Sequence, residues 1–158
     1  MAILTIVNKS DEILRKRSRE VTGITPRITT LLDDMKDTLI KAGGVGLAAP
    51  QVGILKRICI IMLDPDDEPI ELINPEIIYR EGEQRELEGC LSCPHEWGIT
   101  KRPYKVKVRA VNREGKQVEY EGEDLLARAF CHEIDHLDGK LFLDVCVEMI
   151  PESRLKED

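Results

Sequence analysis

The stretch Cys131-His132-Glu133-Ile134-Asp135-His136-Leu137-Asp138-Gly139 decides how the chain is read. Wound as a helix, it sets His132 and His136 one turn apart on one face, where two imidazoles can grip a single metal ion. Glu133 is rotated by roughly 100° from His132 and would stand beside that ion, in reach of a water it holds. Two neutral imidazoles and a carboxylate that moves protons are the working parts of an H-E-x-x-H motif. The motif also arises by chance, as a surface ion-pair cluster. Here it is embedded in Leu125, Leu126, Ala129, Phe130, Ile134 and Leu137. A helix apolar around much of its circumference is enclosed by sheet, and its histidines and glutamate then need partners. It starts near Glu123-Asp124, and Gly139 closes it.

Upstream, Lys105 to Val111 and Gln117 to Tyr120 read as a hairpin around Asn112-Arg113-Glu114-Gly115. Arg57 to Leu63 reads as a buried strand and Asp64 to Pro69 as a turn. Ile70 to Ile73 and Glu76 to Arg80 read as two strands separated by Asn74-Pro75. Ser10 before Asp11-Glu12 predicts an N-cap and a short charged helix to about Glu20. Thr25-Pro26 opens a second helix, with Ile28, Leu31, Leu32, Met35 and Leu39 on one face and Gly43 ending it after Ala42. The glycine-rich run Gly44 to Gly53 reads, at its plainest, as a buried loop whose small residues let backbones approach. Glu81 to Glu88 is strongly polar and carries no element signal. The expectation is one α+β domain over 1–150, with mostly antiparallel sheets packed around the C-terminal metal-binding helix and helices at the N-terminus. Residues 151–158 read as a short, frayed, charged tail.

A chain of 158 residues is long enough for one real core. The formal net charge of −7 argues against general nucleic-acid or anionic-membrane binding, which need a cationic surface. Lys101, Arg102, Lys105, Lys107 and Arg109 are a local exception. Because Lys105, Lys107 and Arg109 alternate with Val106, Val108 and Ala110, a solvated strand face explains them better than an RNA-binding patch. No apolar run nears the roughly 20 residues of a membrane span. The opening Met1-Ala2-Ile3-Leu4-Thr5-Ile6-Val7 has no basic stretch before its apolar residues, so cytoplasmic residence is the expectation. Cys59, Cys90, Cys93, Cys131 and Cys146 are an odd number, which disfavours a disulfide framework.

A catalytic site of this type needs three protein ligands and one open position. Cys90 and Cys93 are the one pair of soft ligands close in sequence, and their C-x-x-C spacing permits a rival arrangement. Cys90, Cys93, His132 and His136 could form a closed structural zinc site in a binding module. That rival leaves Glu133 without a task, and its halves lie much further apart than in a zinc finger. A metallopeptidase that shares only H-E-x-x-H is a third reading.

Three segments carry a family resemblance. Gly44-Val45-Gly46-Leu47-Ala48-Ala49-Pro50-Gln51, Glu88-Gly89-Cys90-Leu91-Ser92-Cys93-Pro94 and His132 to Gly139 resemble the three signature motifs of peptide deformylases, in the family's order and spacing. The resemblance covers nearly the whole chain. It implies a metallohydrolase that removes the formyl group from N-formylmethionyl nascent polypeptides and releases formate. By the same resemblance the metal ligands are Cys90, His132 and His136, with water or hydroxide as the nucleophile. Glu133 would carry the proton, while the Gln51 amide and the Leu91 N–H hold the oxyanion. A loop-stabilising hydrogen bond is the plainer role for Gln51. Val45, Gly46 and Gly89 fall to substrate binding, the glycine-rich backbone pairing with an extended peptide. Glu88 resembles a family residue paired with arginine, and Arg102 is the candidate partner. The resemblance further implies iron(II) in the cell, with zinc, nickel and cobalt compatible with the donors. Ribosome contact it leaves open. Cys93, Arg128 and Phe130 stand where the family more often has aliphatic residues.

Overall fold

The computed structural model of the protein describes residues 2–155. Two antiparallel sheets dominate it. The larger has strand order β1-β2-β3-β6-β7: β1 Gly46–Ala48, β2 Ile58–Ile61, β3 Ile70–Glu81, β6 Lys105–Val111 and β7 Gln117–Glu123. The smaller has order β4-β5-β8: β4 Gln84–Cys90, β5 Cys93–Arg102 and β8 Cys146–Ile150. Helix α1, Pro26–Ala42, and helix α2, Leu125–Leu137, are the two long helices, and α3, Glu152–Leu155, is a single turn. The expected α+β architecture is therefore present, with α2 as its centre.

Strand alternation explains why the large sheet is covered on both faces. From β2, Ile58 and Ile60 point to one side and meet Ile28, Leu32, Met35 and Leu39 of α1. Cys59 and Ile61 point to the other and meet Phe130, Ile134 and Leu137 of α2. A strand buried on both faces reads as a continuous apolar run, as Ile58-Cys59-Ile60-Ile61 does. Phe130 is wholly buried in this layer, and its truncation to alanine would cost about 3–5 kcal/mol. The predicted α1 matches the observed helix, including a left-handed Gly43 at its end (φ 75°).

The polar end of α2 is anchored. Arg57, buried beneath it, donates from Nη1 to the Leu137 carbonyl (2.9 Å) and to Asp138 Oδ1 (3.0 Å), a cation at a helix C-terminus where the dipole favours one. The Ser18 N–H also donates to the Leu137 carbonyl (2.8 Å). Gly139 follows at φ 75°, and a Cβ there would stand 2.6 Å from the Arg15 carbonyl oxygen. The N-terminal segment thus packs directly on the close of the metal-binding helix.

Several sequence expectations need correction. The helix expected from Ser10 to about Glu20 is one 3-10 turn, Glu12–Arg15, capped by Asp11 rather than Ser10. Leu14 alone is buried in it, so no apolar stripe offsets the cost of nucleating a longer helix. Ile70–Ile73 and Glu76–Arg80 are one strand, β3, with a register shift at Asn74-Pro75. Asn74 adopts φ 52° there, and its side-chain amide pairs with both the N–H and the carbonyl of Val21, so the kink is held rather than broken. The glycine-rich run contains β1 and a 3-10 turn, Ala49–Val52. Strands β4, β5 and β8 carried no recognised sequence signal. The charged tail begins with the α3 turn, and residues 156–158 lie outside the described residues. Lys105, Lys107 and Arg109 do form the wet face of β6, opposed by Glu119, Glu121 and Glu123 of β7. Arg102 is not part of that face; its side chain is buried.

Candidate metal centre

The two-residue connection Leu91-Ser92 between β4 and β5 delivers Cys90 to the face of α2. There the donor atoms of Cys90, His132 and His136 all lie within 4.8 Å of one another. Cys90 Sγ is 3.4 Å from His136 Nε2. Among the described residues this is the one cluster of three such donors, and Cys93 does not join it. A closed Cys2His2 site is thereby disfavoured.

The histidine orientations are set by what surrounds them. His132 Nδ1 lies 2.7 Å from Glu88 Oε1. An ionised carboxylate only accepts, so Nδ1 carries the proton and Nε2 keeps its lone pair for a ligand. Glu88 is itself fixed. Arg102 donates to it from Nε (3.1 Å) and Nη2 (2.8 Å), and Thr100 Oγ1 donates as well. Burial alone would raise the Glu88 pKa, but the hydrogen bonds from His132 and Arg102 outweigh it and bring it to about 2. Arg102 spends its remaining nitrogen on Asp135 Oδ2 (2.7 Å). The chain Asp135–Arg102–Glu88–His132 is therefore a buried ionic relay that aims one imidazole. The expected Glu88–Arg102 pair is present. Asp135 was missed, although its place three residues after His132 on a buried helix was a usable signal; Thr100 had none.

His136 is fully buried, and burial holds it neutral by pushing its pKa well below the usual range. A neutral imidazole is the form that binds metals. Glu133 is 3% exposed, and burial raises its pKa to about 7. Its Oε1 has no protein partner, and its Oε2 lies 3.9 Å from His132 Nε2. A buried carboxylate with an unmet oxygen beside two imidazoles and a thiol is poorly satisfied by protein alone. A divalent cation meets these needs together, so the residues fit a metal.

Gln51, on the 3-10 turn after β1, accepts from the Ala48 N–H (2.9 Å) and donates to Ser92 Oγ (3.1 Å) and towards Cys90 Sγ (3.6 Å). The loop-stabilising bond is real, and the same amide reaches the ligand sulfur. Ser92, part of the second motif but given no role from the sequence, holds it there. The Cys90 thiol donates towards the Cys93 sulfur, and this, with burial and Glu133, raises its pKa.

A cavity of about 440 Å³ opens over these groups. Its walls include Val45, Gly46, Gln51, Gly89, Cys90, Leu91, His132 and Glu133, so the predicted site residues other than fully buried His136 meet at one opening. The cavity runs between β1, the edge of the large sheet, and β4, the edge of the small one. The Arg128 side chain lines it, tied back to Gln84 Oε1 (2.6 Å) and Asp124 Oδ1 (2.9 Å). Phe130 faces the sheet instead, so it does not shape this pocket.

Comparison with known proteins agrees with this site. The family profile for polypeptide deformylase matches residues 3–151. The peptide deformylase of Acetivibrio thermocellus is 55% identical over 156 residues, covering 99% of this chain and 91% of that protein. That of Alkaliphilus metalliredigens is 57% identical over 148 residues, covering 94% and 99%. The crystal structure of a peptide deformylase from Legionella pneumophila superposes with a TM-score of 0.90 at 44% identity, over 98% of this chain and 90% of that one. The Thermotoga maritima peptide deformylase superposes at 0.88 with 37% identity, over 92% and 99%.

Proposed function

The chain belongs to the polypeptide deformylase family and is a metal-dependent peptide deformylase acting on formylated nascent peptides, and from that premise we propose how its own residues divide the work. Cys90, His132 and His136 are the ligands. The convergence of their donors at the floor of a cavity that also holds Glu133 and Gln51 carries this reading. A divalent ion held there acidifies water and polarises a carbonyl, which provides a nucleophile near neutral pH.

Glu133 takes the proton from the attacking water and delivers it to the departing amine, so that a formamide and water become formate and a free α-amino group. A buried carboxylate whose pKa is raised towards neutrality suits both halves of that transfer. The Gln51 side-chain amide and the Leu91 backbone N–H stabilise the oxyanion that develops on the formyl oxygen. Glu88 and Arg102 act through His132, holding its ring in the liganding tautomer. Val45, Gly46 and Gly89 bind substrate. An extended peptide lying between the edges of β1 and β4 would add its backbone to exposed strand edges, with the methionine side chain against Leu91, Ala129 and Arg128.

We assign iron(II) as the metal in the cell on the family resemblance alone; the donors, one thiolate and two imidazoles, suit zinc and also fit nickel and cobalt. The working place is the cytoplasm, on nascent chains at or near the ribosome, and residues 1–150 form a single catalytic domain. No described helix is long and apolar enough to cross a membrane. Formate release from formyl-Met-Ala-Ser by fresh, reduced, anaerobically prepared enzyme tests the reading. Turnover with metal content tracking activity is expected, and no turnover by fully metallated enzyme would overturn it.

A further inference from the structure

We propose that Cys90 and Cys93 are a peroxide-responsive thiol pair that closes to a disulfide when the metal leaves. The geometry comes from the tight turn between β4 and β5. Cys90 and Cys93 are direct partners across it, separated only by Leu91-Ser92. Directly opposed residues of an antiparallel pair have Cα atoms about 4.5–5.5 Å apart, inside the span of a disulfide. The Cys90 side chain packs against the small buried cluster that holds Cys93.

Access differs between the two sulfurs. Both border the cavity, but Cys90 is half-buried there, whereas Cys93 is 1% exposed and packs against Leu14, Leu141 and Phe142. Cys59 and Cys131 are sealed in the core between α2 and the sheet. Peroxide entering the cavity therefore meets Cys90 first. The Cys90 sulfur attacks one peroxide oxygen, the O–O bond breaks, and the thiol proton leaves with the departing hydroxide as water, giving a sulfenic acid. The Cys93 sulfur then attacks the sulfenic sulfur, its proton leaves with the hydroxyl as a second water, and the S–S bond forms. Two thiols lose two electrons, and one peroxide is reduced to two waters. The linked form withdraws a proposed metal ligand, so its consequence for metal binding rests on the ligand assignment above. The link itself does not.

The experiment uses the full chain, with and without prior chelation, treated with hydrogen peroxide and then alkylated for intact-mass and peptide mapping. Chelated wild type should lose about 2 Da, yield a Cys90–Cys93 linked peptide, and recover zinc binding after thiol treatment. The zinc-loaded protein, whose metal has no redox chemistry, should resist. Chelated Cys93→Ala should instead gain oxygens at Cys90 and recover no zinc; Cys93→Ser serves if the alanine variant folds poorly. Oxygen addition at Cys90 in wild type, with Cys93 still alkylatable, would overturn the proposal. A linked protein that still binds zinc stoichiometrically would support the pairing and overturn the ligand assignment, so the two failures are distinguishable.

Discussion

The Glu133 carboxylate lies against the backbone of Gly46, so close that a Cβ on that glycine would stand 2.5 Å from Oε2 and 2.8 Å from the carboxyl carbon. Strand β1 and helix α2 are thereby pressed together at the proposed proton carrier. Gly46→Ala must push the carboxylate aside. The expected result is a folded protein destabilised by about 1–3 kcal/mol, with deformylation reduced roughly 100-fold if Glu133 moves by about 1 Å. Denaturant unfolding and formate release check the two parts. Unchanged turnover would mean that Glu133 tolerates displacement.

Glu88 predicts an acid limit. Its pKa falls from 4.5 to about 2 on folding, so it contributes stability above pH 4.5 that is lost as pH drops towards 2. At 1.36 kcal/mol per unit the contribution is about 3 kcal/mol. Glu88→Gln should flatten the stability profile between pH 4.5 and 2 and weaken metal binding by about 10–100-fold. Denaturation midpoints against pH, with metal titrations, provide the check. A variant that binds metal as tightly as wild type would remove Glu88 from the orientation of His132.

Glu133 has the opposite sign. Burial raises it from 4.5 to about 7, so between those values the folded state keeps a proton that the unfolded state has released. Stability of the metal-free protein should therefore decline as pH rises from 4.5 to 7, by about 3 kcal/mol. Glu133→Gln should recover that loss above pH 7 and change little below pH 4.5. Equal pH profiles for the two metal-free proteins would show that the carboxylate is not desolvated as described.

Cys93 separates an open site from a closed one. Because it stays outside the donor cluster, Cys93→Ala should retain one divalent ion per chain and lose only about 1 kcal/mol of stability. Loss of metal with unfolding would instead be the signature of a structural Cys2His2 site. Metal analysis after anaerobic purification, beside a thermal melt, decides between them.

What could be read from residues alone followed physical pattern. Helix α1, strand β2, the β6–β7 hairpin and helix α2 each bury a regular apolar face, so periodicity found them. Strand β4 does not: Arg85, Glu86 and Leu87 are exposed, and the residue turned inward after them, Glu88, is charged, so no apolar alternation marks the strand. Strand β8 exposes Val147 and Met149 and buries only Ile150, which leaves no alternation to detect. At the site, the ligand types and spacings of His132, Glu133 and His136 were legible, while Cys90 was chosen over a Cys2His2 rival through the family resemblance. The supporting contacts of Ser92 and Thr100 were not legible, since each is made to a residue on another element, whereas Asp135 could have been read from its place on the helix.

Formate release by Glu133→Ala, read beside its metal content, bears most directly on the assignment of the site. The variant keeps Cys90, His132 and His136, so it should purify with the wild-type amount of metal and release essentially no formate from formyl-Met-Ala-Ser. Near-normal turnover by the metal-loaded variant would contradict the assignment of proton transfer to Glu133.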